Sequence, residues 1–253
     1  MKVRFGSSRA PHIPAPWLIF VLSVIIVSCL VYYLTVESFS NNRPPIARRI
    51  DAIYYINLEK REDRKNEFLD NFSEVDENRI VRVNAHYYPD NGAFGCLMSH
   101  INALNVALKD GRGENILICE DDFTIKDMDY CNKMLDLLFD KIPDWDVVML
   151  GQNTIDSKDT GIVTPEGEKI VRILNSQTAS GYLIKARYIP RLLEIYERDM
   201  NQFVKTGEWG NYYTDQSWKV LQAKDRWYSF QPTVGVQRAS YSNIQNGFIG
   251  IEV

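Results

Sequence analysis

Glu120, Asp121 and Asp122 are three adjacent carboxylates that follow directly on the apolar run Ile116-Leu117-Ile118-Cys119. In an extended or turning backbone successive side chains alternate, so residues 120 and 122 can face one point. Two carboxylates on one point make a hard-oxygen site suited to Mg²⁺ or Mn²⁺, which keeps positions open for water and substrate phosphates. A solvated acidic turn closing a strand is the plainer reading of the same residues.

Four other places offer chemistry. Arg61 and Arg64, in the charged segment after the run at 52–56, sit three apart. On a helix they share a face and can meet a diphosphate, or they pair with Glu62 and Asp63. Gly92-Ala93-Phe94-Gly95 reads as a turn before a helix, where backbone amides can approach a ligand. His100 falls on the apolar face of that helix and reads as a core residue. Asp215 precedes an apparent helix with Val220 and Leu221, so it is either an N-cap or a general base for an acceptor hydroxyl, among aromatic neighbours that can stack on a sugar face.

The elements that must carry these residues alternate. Short β-favouring runs at 52–56, 80–83, 116–119, 146–150 and 179–184 are separated by segments with helical spacing of apolar residues. The helical segments centre on Phe68, Leu69 and Phe72; on Leu97 to Ala107; on Met134 to Phe139; and on Ile189 to Tyr196. This order predicts an α/β domain with a mainly parallel central sheet covered on both faces. Ligands bind at the carboxyl ends of strands in such sheets, and the acidic triplet falls at one.

The chain has 253 residues and a formal charge of −4. Residues 10–36 hold no charged side chain, and 17–36 are almost wholly apolar. Twenty helical residues span about 30 Å, the thickness of a bilayer core. We therefore read residues 1–16 as a tail, 17–36 as a single transmembrane anchor, 37–45 as a polar, Pro-containing stem and 46–253 as one domain. Three basic residues flank each end of the span, so only the N-terminal amine favours a cytoplasmic N-terminus and a lumenal or external domain. Residues 46–253 hold 25 basic and 32 acidic groups, which argues against a nucleic-acid partner. Four cysteines at unrelated spacings form neither a disulfide scaffold nor a zinc pattern. The sequon Asn71-Phe72-Ser73 carries a glycan only if the domain is lumenal.

Taken in order, several segments resemble glycosyltransferase family 25, the lipooligosaccharide and collagen galactosyltransferases. Ile56-Asn57-Leu58 with Arg61, Asp63 and Arg64 is similar to its opening motif, and Gly95-Cys96-Leu97-Met98-Ser99-His100 to its Gly-Cys-x-x-Ser-His segment. Residues 116–122 are similar to its strand ending in Glu-Asp-Asp, and residues 145–151, 178–184, the region of Asp215 and 232–244 also fall where similar segments belong. Asn243 departs from the pattern, which often has Asp there. The resemblance implies a nucleotide-diphosphate-sugar transferase fold of the GT-A kind, a UDP-sugar donor, Mn²⁺ or Mg²⁺, and inverting transfer of galactose or glucose to a glycan or hydroxylated acceptor. It implies that Asp122 is the principal metal ligand, that Glu120 assists it or reaches the ribose, and that Asp121 orients the pair. Asn57, Arg61, Arg64 and Ser99 would lie about the nucleotide, and Asp215 would be the base. A catalytically silent, membrane-tethered sugar-binding or adhesion module of the same fold is the alternative.

Overall fold

The computed structural model describes residues 21–32, 49–207, 213–242 and 247–249. The chain divides into two compact units, Met1–Arg43 and Pro44–Val253. In the first unit residues 21–32 are helical and exposed along their whole length. The two ends of the expected span, the tail and the stem lie outside the described residues. Among the described residues no helix is long and apolar enough to cross a membrane.

The second unit is built on a six-stranded sheet of order β2-β1-β3-β6-β5-β7. Strands β1 (Ala52–Asn57), β2 (Ile80–Asn84) and β3 (Asn115–Glu120) run parallel, and β6 (Lys169–Lys185) runs against β3. Strand β5 (Val147–Val163) is antiparallel to β6, and β7 (Trp227–Gln231) is parallel to β5. Only β6 opposes the others, so the sheet is mainly parallel, as expected.

Parallel neighbours need crossovers, and amphipathic helices supply them on both faces. Ala52, Tyr54 and Ile56 join the core formed with Leu97, Leu104, Leu192 and Tyr196. These come from helices α2 (Gly92–Asp110) and α4 (Ile189–Thr206). The alternate residues Ile53 and Tyr55 join the opposite core with Phe68, Leu135 and Leu138, from α1 (Glu62–Asn71) and α3 (Met128–Lys141). Tyr55 stacks on Phe68 with ring centroids 4.4 Å apart. This period-two division explains why the strands read as continuous apolar runs. It also fixes their register, because a one-residue slip would exchange the two faces.

The long β5–β6 hairpin was visible only at its apolar ends. β7 pairs with residues 147–149 of β5 on one edge and with residues 169–172 of β6 on the other, so the hairpin curls round it. Between the pairs Gly151↔Gly181 and Asn153↔Gln177 the ladder slips, and β6 carries two residues more than β5. Thr178 lies in this bulge at φ 71°, a left-handed conformation rare for a β-branched residue.

Two short strands, β4 (Phe123–Ile125) and β8 (Gly235–Gln237), pair antiparallel immediately after the acidic triplet. Phe123 is fully buried against Gly151, Gly181 and Gly235. A Cβ built on Gly181 would lie 2.6 Å from its ring, and one on Gly235 2.4 Å. With Phe123 enclosed, Gly181→Ala is expected to destabilise the fold by about 1–3 kcal/mol through overpacking. Thermal unfolding checks this, and a Phe123→Leu background should return part of the loss. Asn71 holds β4 from α1: its Nδ2 donates to Ile125 O (3.3 Å) and its Oδ1 accepts from Ile125 N (3.0 Å). The sequon's nitrogen is thus engaged within the fold.

At the opposite, amino-terminal edge Asp146 is buried between Arg187 and Arg226, at 2.6 and 3.0 Å. Burial pushes its carboxyl up, but the Arg226 and Arg187 hydrogen bonds outweigh this and hold it below the usual range. A depressed carboxylate contributes stability above its unfolded pKa, about 3.9. That contribution is lost as pH falls through the lower folded value. Asp146→Asn should therefore cost roughly 2–3 kcal/mol at pH 7, the arginines being half-exposed. Its deficit relative to wild type should shrink in unfolding measured below pH 4.

Candidate functional site

The carboxyl ends of β1 and β3 are adjacent, with Ile56 opposite Glu120 in the register. The triplet therefore stands beside Asn57 and the first turns of α1. Arg64, in α1, places Nη1 2.8 Å from Asp121 Oδ1 and 3.0 Å from Asp122 Oδ2. Asn57, 1% exposed, donates from Nδ2 to Asp121 Oδ2 at 2.7 Å and to Arg61 O at 3.1 Å, while its Oδ1 accepts from Arg82 Nε at 2.9 Å. Every polar atom of the Asn57 amide is thus assigned, and both oxygens of Asp121 are held.

The third carboxylate points elsewhere. Glu120 Oε1 meets His100 Nε2 at 3.2 Å and Cys96 Sγ at 3.7 Å, both from α2. It nevertheless stays near Asp122. Burial and then the Glu120 charge push the Asp122 carboxyl up to about 7, against the opposing pull of Arg64. Burial raises Asp121 as well, with Arg64 and Asn57 opposing it. Glu120 ends below the ordinary range: burial pushes it up, but the His100 hydrogen bond and charge, with Arg64, prevail.

Two of the three carboxylates thus share the Arg64 guanidinium, and His100 meets the third. Asp122 is 4% exposed, and its Oδ1 has no hydrogen-bond partner among the described residues. A buried carboxylate oxygen without a donor, beside a second carboxylate, is the donor set a small divalent cation takes. This donor set fits Mn²⁺ or Mg²⁺, which Asp122 and Glu120 would hold; Glu120 also groups with Cys96 and His100, their ligand atoms lying within 4.8 Å of one another.

The other expected site residues divide. Arg61 is engaged by Asp63 at 2.8 Å and its hydrogen bond holds Asp63 down to about 2, so the pairing with a neighbour is what forms. Ser99 donates to Gly95 O at 2.6 Å and accepts from His86 N at 2.8 Å, tying α2 to the segment after β2. The structure does not bring its hydroxyl to the triplet. Gly92 to Gly95 is the first turn of α2, not a turn before it, with Asn91 Oδ1 accepting from Phe94 N as N-cap. Gly95 is required there because a Cβ would lie 2.6 Å from His86 O.

Asp215 is the second residue of a four-residue helical turn, α5 (Thr214–Ser217), rather than its N-cap, which is Tyr213. A second turn, α6 (Lys219–Gln222), follows where one helix was expected. Asp215 Oδ2 accepts from Thr178 N at 3.1 Å, at the bulge in β6. Its neighbour Thr214 places Oγ1 3.4 Å from Cys96 Sγ, which links this turn to Glu120.

Residues that went unrecognised are Gln237 and Arg238, at the end of β8. Gln237 Nε2 donates to Asp122 Oδ2 at 3.3 Å. Arg238 N donates to Asp122 O, and its Nη2 to Asp121 O, both at 2.9 Å. The Arg238 bonds hold the backbone of the acidic turn and the Gln237 bond its carboxylate, from more than a hundred residues away; residues 232–244 were matched as a segment, without these contacts.

No protein-family model matches the chain, and no curated protein matches it. Among solved structures it is similar to A197 from STIV, with 10% identity over 81% of this chain and 96% of that one and a TM-score of 0.42. It is also similar to a glycosyltransferase involved in the glycosylation of the major capsid of PBCV-1, with 10% identity over 70% and 79% and a TM-score of 0.42. A mannose-1-phosphate geranyltransferase from Thermus thermophilus follows, with 10% identity over 72% and 73% and a TM-score of 0.41. At these identities and scores the likenesses add nothing to what the chain's own residues establish.

Proposed function

We propose that the chain is a metal-dependent glycosyltransferase, similar to family 25, that moves galactose or glucose from a UDP-sugar to a hydroxyl of a glycan or hydroxylated acceptor with inversion. The observation that carries this reading is the acidic triplet at the strand ends, where buried Asp122 has an oxygen without a donor among the described residues and shares Arg64 with buried Asp121. Asp122 and Glu120 would hold the cation, which would offset charge developing on the departing diphosphate. Asp121 does not turn towards it, since Asn57 and Arg64 hold both its oxygens. Its task is to keep Arg64 beside Asp122. Asp215 takes the proton from the acceptor hydroxyl.

Residues 17–36 anchor the enzyme in a membrane, with the N-terminus in the cytoplasm and the domain on the lumenal or external side. The uncharged, almost wholly apolar composition of residues 17–36 is what supports an anchor.

Calorimetric titration of UDP into the full-length chain in detergent tests the reading. Binding in Mn²⁺ that disappears on chelation is expected. If Mn²⁺ elicits no UDP binding, the tethered sugar-binding module becomes the better account.

A further inference from the structure

Behind Glu120 lies a set of contacts that cation binding alone does not require. His100 is fully buried in α2, and its two ring nitrogens are both in use. Nε2 is 3.2 Å from Glu120 Oε1, and Nδ1 is 3.2 Å from the hydroxyl of Tyr182 in β6. An ionised carboxylate only accepts, so Nε2 carries the hydrogen and donates to Glu120, while Nδ1 meets the Tyr182 hydroxyl. Tyr182 cannot swing away: it is fully buried, and Trp218 meets its ring edge-on at 5.4 Å. Cys96, one helical turn before His100, approaches the same Oε1. Oε1 therefore receives both contacts, while the Glu120 side chain remains 20% exposed.

We propose that His100, backed by Tyr182, is a positioning residue that fixes the rotamer of Glu120, so that its carboxylate stays beside Asp122 and presents its second oxygen to the cation. This rests on the metal-dependent reading above. The need for such a device follows from the charges. Glu120 and Asp122 repel one another, and a glutamate with three torsions would otherwise turn away before any cation arrives. Hydrogen-bonded partners behind a ligand orient it and are typically worth about 10- to 100-fold in metal affinity.

The shape of the two amides supplies the test. Gln can place its amide nitrogen where Nε2 of histidine lies, whereas Asn reaches only the Nδ1 position. Mn²⁺ affinity is measured by calorimetry on the full-length chain for wild type, Asp122→Asn, His100→Gln and His100→Asn, with thermal unfolding of each. We expect His100→Asn to bind Mn²⁺ about 10-fold or more weakly, and His100→Gln to recover most of that loss at similar thermal stability. A purely structural role for His100 would move stability in both variants without separating their affinities. Should His100→Asn not fold, Tyr182→Phe removes only the hydroxyl and should still weaken Mn²⁺ binding several-fold.

Equal affinity in the Gln and Asn variants would overturn the proposal, as would wild-type affinity in Tyr182→Phe used in its place. So would a Co²⁺ complex with thiolate absorption that Cys96→Ser abolishes, because Cys96, His100 and Glu120 would then be ligands themselves. Wild-type binding that Asp122→Asn removes, with the His100 variants unaffected, leaves the enzyme reading standing and removes the positioning role. No Mn²⁺ binding by wild type removes both.

Discussion

Replacing Asp122 by Asn is expected to abolish metal-dependent transfer while making the metal-free protein more stable. The two effects have one cause. Asp122 is buried beside Glu120, and burial together with that neighbouring charge raises its carboxyl towards neutrality. In the folded metal-free chain its negative charge is therefore a cost, which a bound cation turns into a gain. Asn keeps the shape and removes the charge, so thermal unfolding in chelator should show stabilisation of about 1–2 kcal/mol, since one pKa unit corresponds to about 1.4 kcal/mol and relaxation discounts the shift. Loss of the charged ligand should lower turnover by about 100-fold or more, the scale seen when one preorganised electrostatic contact is removed. Unchanged turnover would remove Asp122 as the metal ligand. A less stable variant would show that the acidic turn needs the charge for a structural reason.

Arg64→Met should do the reverse to stability. Arg64 is 12% exposed and bonds Asp121 and Asp122 at once. Methionine fills the space of the stem but takes the guanidinium away from both carboxylates. Removing one partner of a buried ion pair typically costs about 3–5 kcal/mol, and Asp121 loses one of its two donors as well. A divalent cation bound at Asp122, as proposed, would restore positive charge there, so added Mn²⁺ should raise the melting temperature of this variant more than that of wild type. A variant as stable as wild type in chelator would show that Asn57, Gln237 and Arg238 suffice to hold the turn.

The layered α/β core was legible because β1 and β3 are buried on both faces and read as unbroken apolar runs. The acidic triplet was legible for a related reason, since nothing apolar explains three carboxylates following such a strand. The expectation that residues 120 and 122 face one point met a more divided geometry. Glu120 turns to His100 of α2 and Asp122 to Arg64 of α1, and the charge on Glu120 still raises the Asp122 carboxyl.

What stayed hidden depended on long-range pairing. Residues 153–163 of β5 are exposed or half-buried without strict alternation and carry few apolar side chains, so nothing local marked them as strand. Arg238 reaches the acidic turn only because β8 pairs with β4 across more than a hundred residues. His100 was recognisable as a buried helix residue. Its partner Glu120 lies on another element, so the sequence showed its burial without its contact. The contacts of Ser99 were equally hidden: its hydroxyl bonds Gly95 O and His86 N, which ties α2 to the segment after β2.

The most direct test of the enzyme reading is UDP release by the full-length chain in detergent, given a panel of UDP-sugars with candidate glycan acceptors, first with Mn²⁺ and then with chelator. Release from UDP-galactose or UDP-glucose that requires the cation and fails in Asp122→Asn is the expected result. Release that persists undiminished in chelator would contradict the role given to the triplet. No release from any donor, together with no UDP binding in Mn²⁺, would contradict catalysis altogether.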